Sequence, residues 1–456
     1  MQKILQVEVT GLFGYMNHRV NFSPESPITI ISGPNGSGKT HLLKLMHAVS
    51  NLDLEELSTI EFEEVKVTFQ DKRMLRVLRQ GMEGETHVFK FYGKTPPARG
   101  YKTLTLGFEP TEEDGPEVPS WVVQLPSGEW YDTRTERLIP ADTAKRRYNT
   151  PDRLAGVKAV RGSWLASYYD DASSIFIDTQ RLDSTGIRGS NYSRGITRNP
   201  QTRVQQYSAQ VAAQVTEARR RSLNESLDAD QSFAARMLQA AHTSVKEKDL
   251  KERYQRIADQ HAELHASGIS VIPVDVTFPD QKTTPTTRRI LNVFLDDWER
   301  KLQPLLPIHE KLKLLRSVID SKFTGKKLHL TPRGKLLFKS THDRSSLPMR
   351  ALSSGEQHLL AVFTLLLFST RQGTLVLIDE PEISMHAAWK HAFLEDIEEV
   401  ARISDLQIIL ATHSSSIIKG RWELVQEIEV PEVFPEASRE DDDDSPFDVI
   451  DSEVEA

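Results

Sequence analysis

The sequence predicts an α/β protein: a mixed sheet built around a phosphate-binding loop, with a helical insertion of short coiled-coil type between the two halves of the sheet. Three observations predict it. Residues 33–40, GPNGSGKT, fit the pattern G-x-x-x-x-G-K-[ST], and they lie between an apolar stretch at 28–31 that reads as a strand and a helix-like run at 41–49. Helical spacing of apolar residues dominates the middle of the chain. Two further apolar strands follow near the end, residues 374–380 closing on Asp379 and Glu380 and residues 406–414 containing His413.

Taken in order, residues 1–203 form the first part of the head. Strand patterns run over 4–9, 19–22, 28–31, 61–69 and 87–92. From about 134 to 221 the composition shifts to Arg, Ser, Asn and Gly, with Arg146, Arg147, Arg153, Arg161, Arg188, Arg194, Arg198, Arg203 and the triplet Arg219, Arg220, Arg221. Residues 183–203 combine turn formers with little apolar content and read as a loop. Residues 204–325 are the helical insertion. Val204, Val211, Val215, Leu223 and Leu227 share one stripe, and Leu250, Tyr254, Ile257, His261 and Leu264 are spaced 4-3-4-3 before Gly268. His261 on that stripe reads as a packed histidine. Helices at 290–302 and 309–319 follow, separated by Pro304 and Pro307. Residues 326–434 return to strand patterns around a long apolar helix at 357–369, and 435–456 read as a disordered acidic tail.

The loop chemistry follows from its residue types. Gly33, Gly36 and Gly38 allow tight turns, so that the N–H groups of Asn35, Gly36, Ser37, Gly38, Lys39 and Thr40 converge on a polyanion at the start of a helix. Lys39 then reaches the β- and γ-phosphates and Thr40 ligates Mg²⁺. In the second strand, Asp379 is placed beside Mg²⁺ and Glu380 where it orients and deprotonates a water. ATP and Mg²⁺ are the expected ligands.

Composition narrows the class. Lys plus Arg number 57 against 65 Asp plus Glu, but residues 440–456 hold nine acids and no base, and removing those nine charges from −8 leaves +1. The mild acidity therefore does not exclude a local basic face. With no cysteine, disulfides, thiolate zinc sites and a cysteine nucleophile are excluded. The first residues alternate like a strand rather than forming a signal-peptide core, and no apolar run approaches the roughly 18 residues of a membrane span. These features predict a cytoplasmic protein without a membrane segment.

Four motifs in order, GPNGSGKT at 33–40, LSSGEQ at 352–357, the strand ending Asp379-Glu380, and the strand carrying His413, resemble an ABC-class ATPase. The resemblance covers roughly 1–70 and 345–420. It implies an ABC-type ATPase head that pairs head to tail with a second copy, ATP being held by the phosphate loop of one subunit and by Ser353, Ser354, Gly355 and Glu356 of the other. Ser354 stands where the family often has glycine. The resemblance further implies a nucleotide-sensing, metal-contacting glutamine, for which Gln180 in FIDTQRL is the candidate; an ordinary polar strand end is the other reading. His413 would contact the γ-phosphate, and the hairpin with Phe13, Tyr15 and Arg19 is where adenine contacts are expected.

Lys39 and Ser353 are 314 residues apart, which argues against a transporter ATPase. The stretch DEPEISMH at 379–386 is similar to the OLD/RecF/Rad50-like branch of AAA-family ATPases, in which Glu382 and His386 would line the subunit interface; a capping glutamate and a solvated helix histidine are the alternatives. Only 43 residues follow His413, so a C-terminal Toprim nuclease domain is not expected, and Asp441 to Asp444 read as a solvated run rather than metal ligands. The combination is similar to the ATPase subunits of two-gene anti-phage defence systems of PARIS type. It implies a homo-oligomer that holds a separate effector, a Toprim-type nuclease, senses a phage trigger protein and releases the effector on ATP turnover. The competing reading is a RecF/Rad50-like DNA-binding clamp in DNA repair, motivated by the arginines from Arg146 to Arg221.

Overall fold

The computed structural model describes residues 3–84, 86–97, 100–109, 122–124, 130–132, 135, 137–140, 143–144, 160, 162–169, 174–178, 200–240, 245–273, 277–279 and 282–429. In chain order the head opens with β1 (Ile4–Leu12), β2 (Met16–Asn21), β3 (Ile28–Ser32), helix α1 (Lys39–Asn51), β4 (Glu64–Phe69), β5 (Met74–Glu83), β6 (Thr86–Lys94) and β7 (Lys102–Phe108). After β8 (Ile175–Asp178) come α2 (Pro200–Gln239), α3 (Glu247–Ala266), α4 (Pro285–Leu302) and α5 (Leu306–Lys322). The head resumes with β9 (Lys326–Leu330), β10 (Leu336–Ser340), α6 (Ser354–Thr364), β11 (Leu375–Asp379), α7 (Ala387–Ser404), β12 (Gln407–Ala411) and β13 (Val425–Glu427).

Two sheets meet over one core. The antiparallel sheet runs β2-β1-β4-β5-β6-β7, with Val65, Val67, Val77, Phe89 and Phe91 buried on its inner face. Its alternation of buried and partly exposed residues is that of a sheet covered on one side. The parallel sheet runs β8-β11-β12-β3-β13. Both of its faces are covered, and the period of two divides its residues. Ile30, Val376, Ile378, Ile408 and Leu410 pack with α6, α7 and the insertion, whereas Ile31, Leu375, Leu377, Ile409 and Ala411 pack with α1 and the antiparallel sheet. Double burial explains why LVLI and IILA are continuous apolar runs rather than alternating ones. This is a mixed α/β architecture with a helical insertion between the two halves of the head.

The insertion differs from the sequence reading in detail. Helix α2 begins at Pro200, inside the segment expected to be a loop through Arg203; proline suits a first helical position because its missing N–H has no partner there anyway. Val211, Val215 and Ala218 are buried, but Leu223 and Leu227 are 59% and 52% exposed, so the expected stripe breaks. At 3.6 residues per turn Leu223 lies about 80° and Leu227 about 120° around the helix from Val215; only the backbone of Val204 is described. In α3, Leu250, Ile257, His261 and Leu264 are buried, and Gly268 follows with φ +81°. His261 is locked in place, accepting from Trp298 Nε1 at 3.1 Å through Nδ1 while Nε2 lies 3.0 Å from Ser270 Oγ.

Helix α2 also grips the head. Gln214 donates to the Phe368 carbonyl and Ser369 Oγ donates to Gln210, where a π-helical turn (Leu365–Ser369) ends the signature helix. Among the described arginines of the basic segment, Arg219 donates to the carbonyls of Ile269, Gly268 and Pro332, and Arg220 and Arg221 both bond Glu217. Arg146, Arg147, Arg153, Arg161, Arg188, Arg194, Arg198, the side chain of Arg203, Gln180 and the acidic tail lie outside the described residues. No helix among the described residues is long and apolar enough to cross a membrane.

Candidate functional site

The strand order β11-β12-β3 decides the site, because it sets three carboxyl-terminal strand ends side by side, the usual position of ligand sites in open parallel sheets. From β3 the chain enters residues 33–38. Gly36 and Gly38 have φ +85° and +82°, which side-chain-bearing residues rarely adopt. Around Gly36 an added Cβ would meet nothing within 4 Å, whereas at Gly38 it would touch Leu12 Cδ2 at 3.0 Å. Helix α1 starts at Lys39 with Gly38 as its N-cap and no side-chain cap, leaving its first N–H groups to the loop.

Lys39 is buried, and its Nζ donates to the carbonyls of Gly33 at 2.9 Å and Pro34 at 3.0 Å. Burial pushes its ammonium below the usual lysine value, opposed by the charges of Glu380, Asp379 and Glu382. Thr40 Oγ1 donates to Asp379 Oδ2 at 2.7 Å, so the loop and the end of β11 touch directly. Burial pushes Asp379 up; the bond from Thr40 opposes this and the charge of Asp178 adds to it. Asp178 is the register partner of Asp379 on the neighbouring strand.

Glu380 follows with φ +48° and ψ +55°, a left-handed conformation costing a non-glycine residue on the order of 1–3 kcal/mol. Its N–H is tied to the Ala411 carbonyl at 2.8 Å, which holds that turn. Its carboxyl is pushed up to about 7, first by burial and then by the charge and hydrogen bond of Glu382. His413 Nε2 stands 3.4 Å from Glu380 Oε1, and burial, then Lys39, lowers the imidazole below its usual value. Lys39, Thr40, Asp379, Glu380 and His413, named from sequence as one site, are thus brought together.

The LSSGEQ segment, residues 352–357, opens α6 with bonds of its own. Ser353 caps α6 in a capping box, its Oγ accepting from Glu356 N at 3.3 Å while Glu356 Oε2 accepts from Ser353 N at 2.7 Å. Lys326 Nζ holds the same Glu356 oxygen at 2.6 Å. Ser353 and Ser354 are exposed and Gly355 is half-buried, whereas Glu356 is buried. Asn35 and Gly36 are exposed on the loop, and Ser37 is fully buried beneath it. Phe13 packs edge-on against His41 with centroids 4.7 Å apart, Tyr15 is 46% exposed, and Arg19 pairs with Glu8 at 3.3 Å.

Sequence reasoning missed two contributors. Buried His18 lies under the loop, its Nε2 3.5 Å from a Cβ built at Gly38; alternation in β2 marks it as inward-facing. Asp178 ends an Ile-Phe-Ile-Asp strand that parallels Leu-Ile-Asp in β11, a legible but local echo. Glu382, read from sequence as an interface or a capping residue, accepts within the chain through Oε1 from Thr412 Oγ1 at 2.6 Å and from His413 N at 3.2 Å. His386, read as an interface or a solvated helix histidine, is exposed and caps α7, accepting from Ala388 N at 3.3 Å.

No curated protein matches the sequence. Among solved structures, the chain is similar to the Smc head domain with an extended coiled coil bound to the C-terminal domain of ScpA derived from Pyrococcus furiosus, at 13% identity over 92% of each chain with a TM-score of 0.36. It is also similar to the SmcHead bound to the C-winged helix domain of ScpA, at 11% identity over 91% of each chain with a TM-score of 0.34. The family described as "AAA domain, putative AbiEii toxin, Type IV TA system" matches residues 28–419. That match spans well over half of the 456 residues, and this protein belongs to that family of AAA ATPases.

Proposed function

We propose that the chain binds ATP with Mg²⁺ and hydrolyses it, and that its nucleotide state controls a separate effector nuclease in an anti-phage defence complex. The observation that carries the ATPase reading is the meeting of Thr40 with Asp379 and of His413 with Glu380 at adjacent strand ends. The residues present fit the metal. One hydroxyl and one carboxylate in contact, with no ready-made cluster of three or more His, Asp or Glu ligands among the described residues, suit an ion that keeps waters and shares phosphate oxygens. Thr40 and Asp379 would hold it, and when bound it offsets charge on the phosphate oxygens.

The protein's own groups do the rest. Lys39, now bonded to two loop carbonyls, exchanges them for phosphate oxygens without leaving its pocket. Glu380, with its carboxyl near neutrality, is matched to accept a proton from water at physiological pH. His413 orients Glu380, and Gln180 is assigned the sensing and metal-contacting role. Ser353, Ser354 and Gly355, exposed or half-buried at that helix start, serve a second copy, whereas Glu356, expected from sequence to join them, is buried and held within the chain by Lys326 and the Ser353 N–H.

The defence setting is supported by the family description, a putative toxin of a TA system, and by the resemblance to two-gene defence ATPases. The DNA-clamp reading loses Arg219, whose guanidinium is spent on the carbonyls of Gly268, Ile269 and Pro332, while Arg220 and Arg221 remain exposed beside Glu217. The test is ATP turnover by wild type, Lys39→Ala and Glu380→Gln, together with pull-down of tagged Glu380→Gln from its host after nuclease treatment. The expected outcome is turnover lost in both variants and a stoichiometric protein partner on the trapped chain. Equal turnover in wild type and Glu380→Gln would overturn the base assignment, and recovery of the chain without a protein partner, with nucleic acid bound to it before the nuclease treatment, would favour the clamp.

A further inference from the structure

Glu382 sits two residues past Glu380, in the turn Pro381–Ser384. Its Oε1 receives two donors, the Thr412 hydroxyl and the His413 main-chain N–H. Thr412 is fully buried, and its oxygen also accepts from Ser414 N at 3.0 Å, so this hydroxyl both gives and receives. The His413 ring in turn stands beside Glu380, its Nε2 3.4 Å from Oε1. The geometry forms a chain: Glu382 to the His413 backbone, His413 backbone to its ring, and ring to Glu380.

We propose that Glu382 is a positioning residue for hydrolysis: by holding the His413 main chain it fixes the imidazole beside Glu380, an inference that rests on Glu380 acting as the base. The bonds need a carbonyl-type oxygen at this place rather than a full charge. Alanine at 382 removes the acceptor and leaves a buried hydroxyl proton without its partner, so the turn bearing His413 is free to shift. Glutamine keeps an oxygen with the same reach and accepts both donors.

The test compares full-length wild type, Glu382→Ala and Glu382→Gln by steady-state ATP hydrolysis and by histidine-selective ¹⁵N NMR, with the His413 resonances assigned through His413→Ala. Glu382→Ala is expected to lower kcat on the order of 10²-fold, the effect of misplacing a group by about an ångström, with KM for ATP nearly unchanged. It should also move the His413 resonances, while Glu382→Gln restores both. Wild-type kcat in Glu382→Ala, His413 resonances unmoved in that variant, or Glu382→Gln as slow as Glu382→Ala would each overturn the proposal. If Glu382→Ala does not fold, Thr412→Val removes one of the two bonds at nearly constant volume. It is expected to change both readouts in the same direction, and its failure to change either overturns the proposal. Absence of turnover in wild type would sink the hydrolase reading, and the NMR comparison would then decide alone whether Glu382 holds His413.

Discussion

Thr40 Oγ1 donates to Asp379 Oδ2 at 2.7 Å, joining two residues 339 positions apart in the chain. The bond links the phosphate loop directly to the end of β11, with the two oxygens proposed to hold the metal already in contact. Replacing Thr40 with valine keeps the volume and deletes the hydroxyl. Thr40→Val is expected to bind ATP about tenfold or more weakly in the presence of Mg²⁺, with little change in metal-free buffer. Titration with a fluorescent ATP analogue, with and without Mg²⁺, measures this; an equal effect in both buffers would remove Thr40 from the metal site.

Glu380 predicts a pH profile. With its carboxyl near 7, the base form is lost as pH falls, so kcat should drop about tenfold per unit well below pH 7 and level off above pH 8. Stability runs the other way. The native state holds this proton between the ordinary carboxyl value and about 7 while the unfolded chain does not, so native stability falls as pH rises through that window. Glu380→Gln should therefore raise Tm relative to wild type at pH 8 and leave it close to wild type at pH 5. Thermal scans at the two pH values check it, and an equal Tm difference at both would contradict the raised carboxyl.

Ser353 serves two purposes that substitutions can separate. Its Oγ caps α6, a contribution of about 1 kcal/mol, and its exposed side would face a second copy's nucleotide. Ser353→Asp keeps the cap but brings a negative charge toward phosphate. Wild-type Tm with ATP turnover reduced at least tenfold is expected for Ser353→Asp, and slightly lowered Tm for Ser353→Ala. Unchanged turnover in Ser353→Asp would argue against the in-trans contact.

Phe363 carries the core between α6 and α7, packing edge-on against Phe393 with centroids 6.2 Å apart and no exposed surface. Phe363→Ala should cost about 3–5 kcal/mol of stability, read as a fall in the urea midpoint at constant slope. A cost below about 1 kcal/mol would mean that the two helices do not pack as described.

Much of this protein was legible before folding was considered. The loop glycines with Lys39 and Thr40 are recognisable because they follow β3 directly and open a helix, and Asp379, Glu380 and His413 because they close strands whose apolar runs are uninterrupted, both faces of that sheet being buried. Strands β5 and β7 were not read, since charged and polar residues on the open face blur their alternation. The stripe along α2 was overextended because residues that match by eye over short spacings drift around a helix over longer ones.

The sequence by itself determined the chemistry and the local backbone: loop glycines permit the positive φ values, and apolar runs between turns make buried strands. The tertiary structure alone decided which strand ends become neighbours, that Glu382 reaches Thr412 and His413, and where the insertion helix grips the head. The physical reason is range. Conformational preference acts over a few residues, whereas strand order and inward polar contacts are set by the simultaneous burial of apolar faces hundreds of residues apart, which no local pattern records.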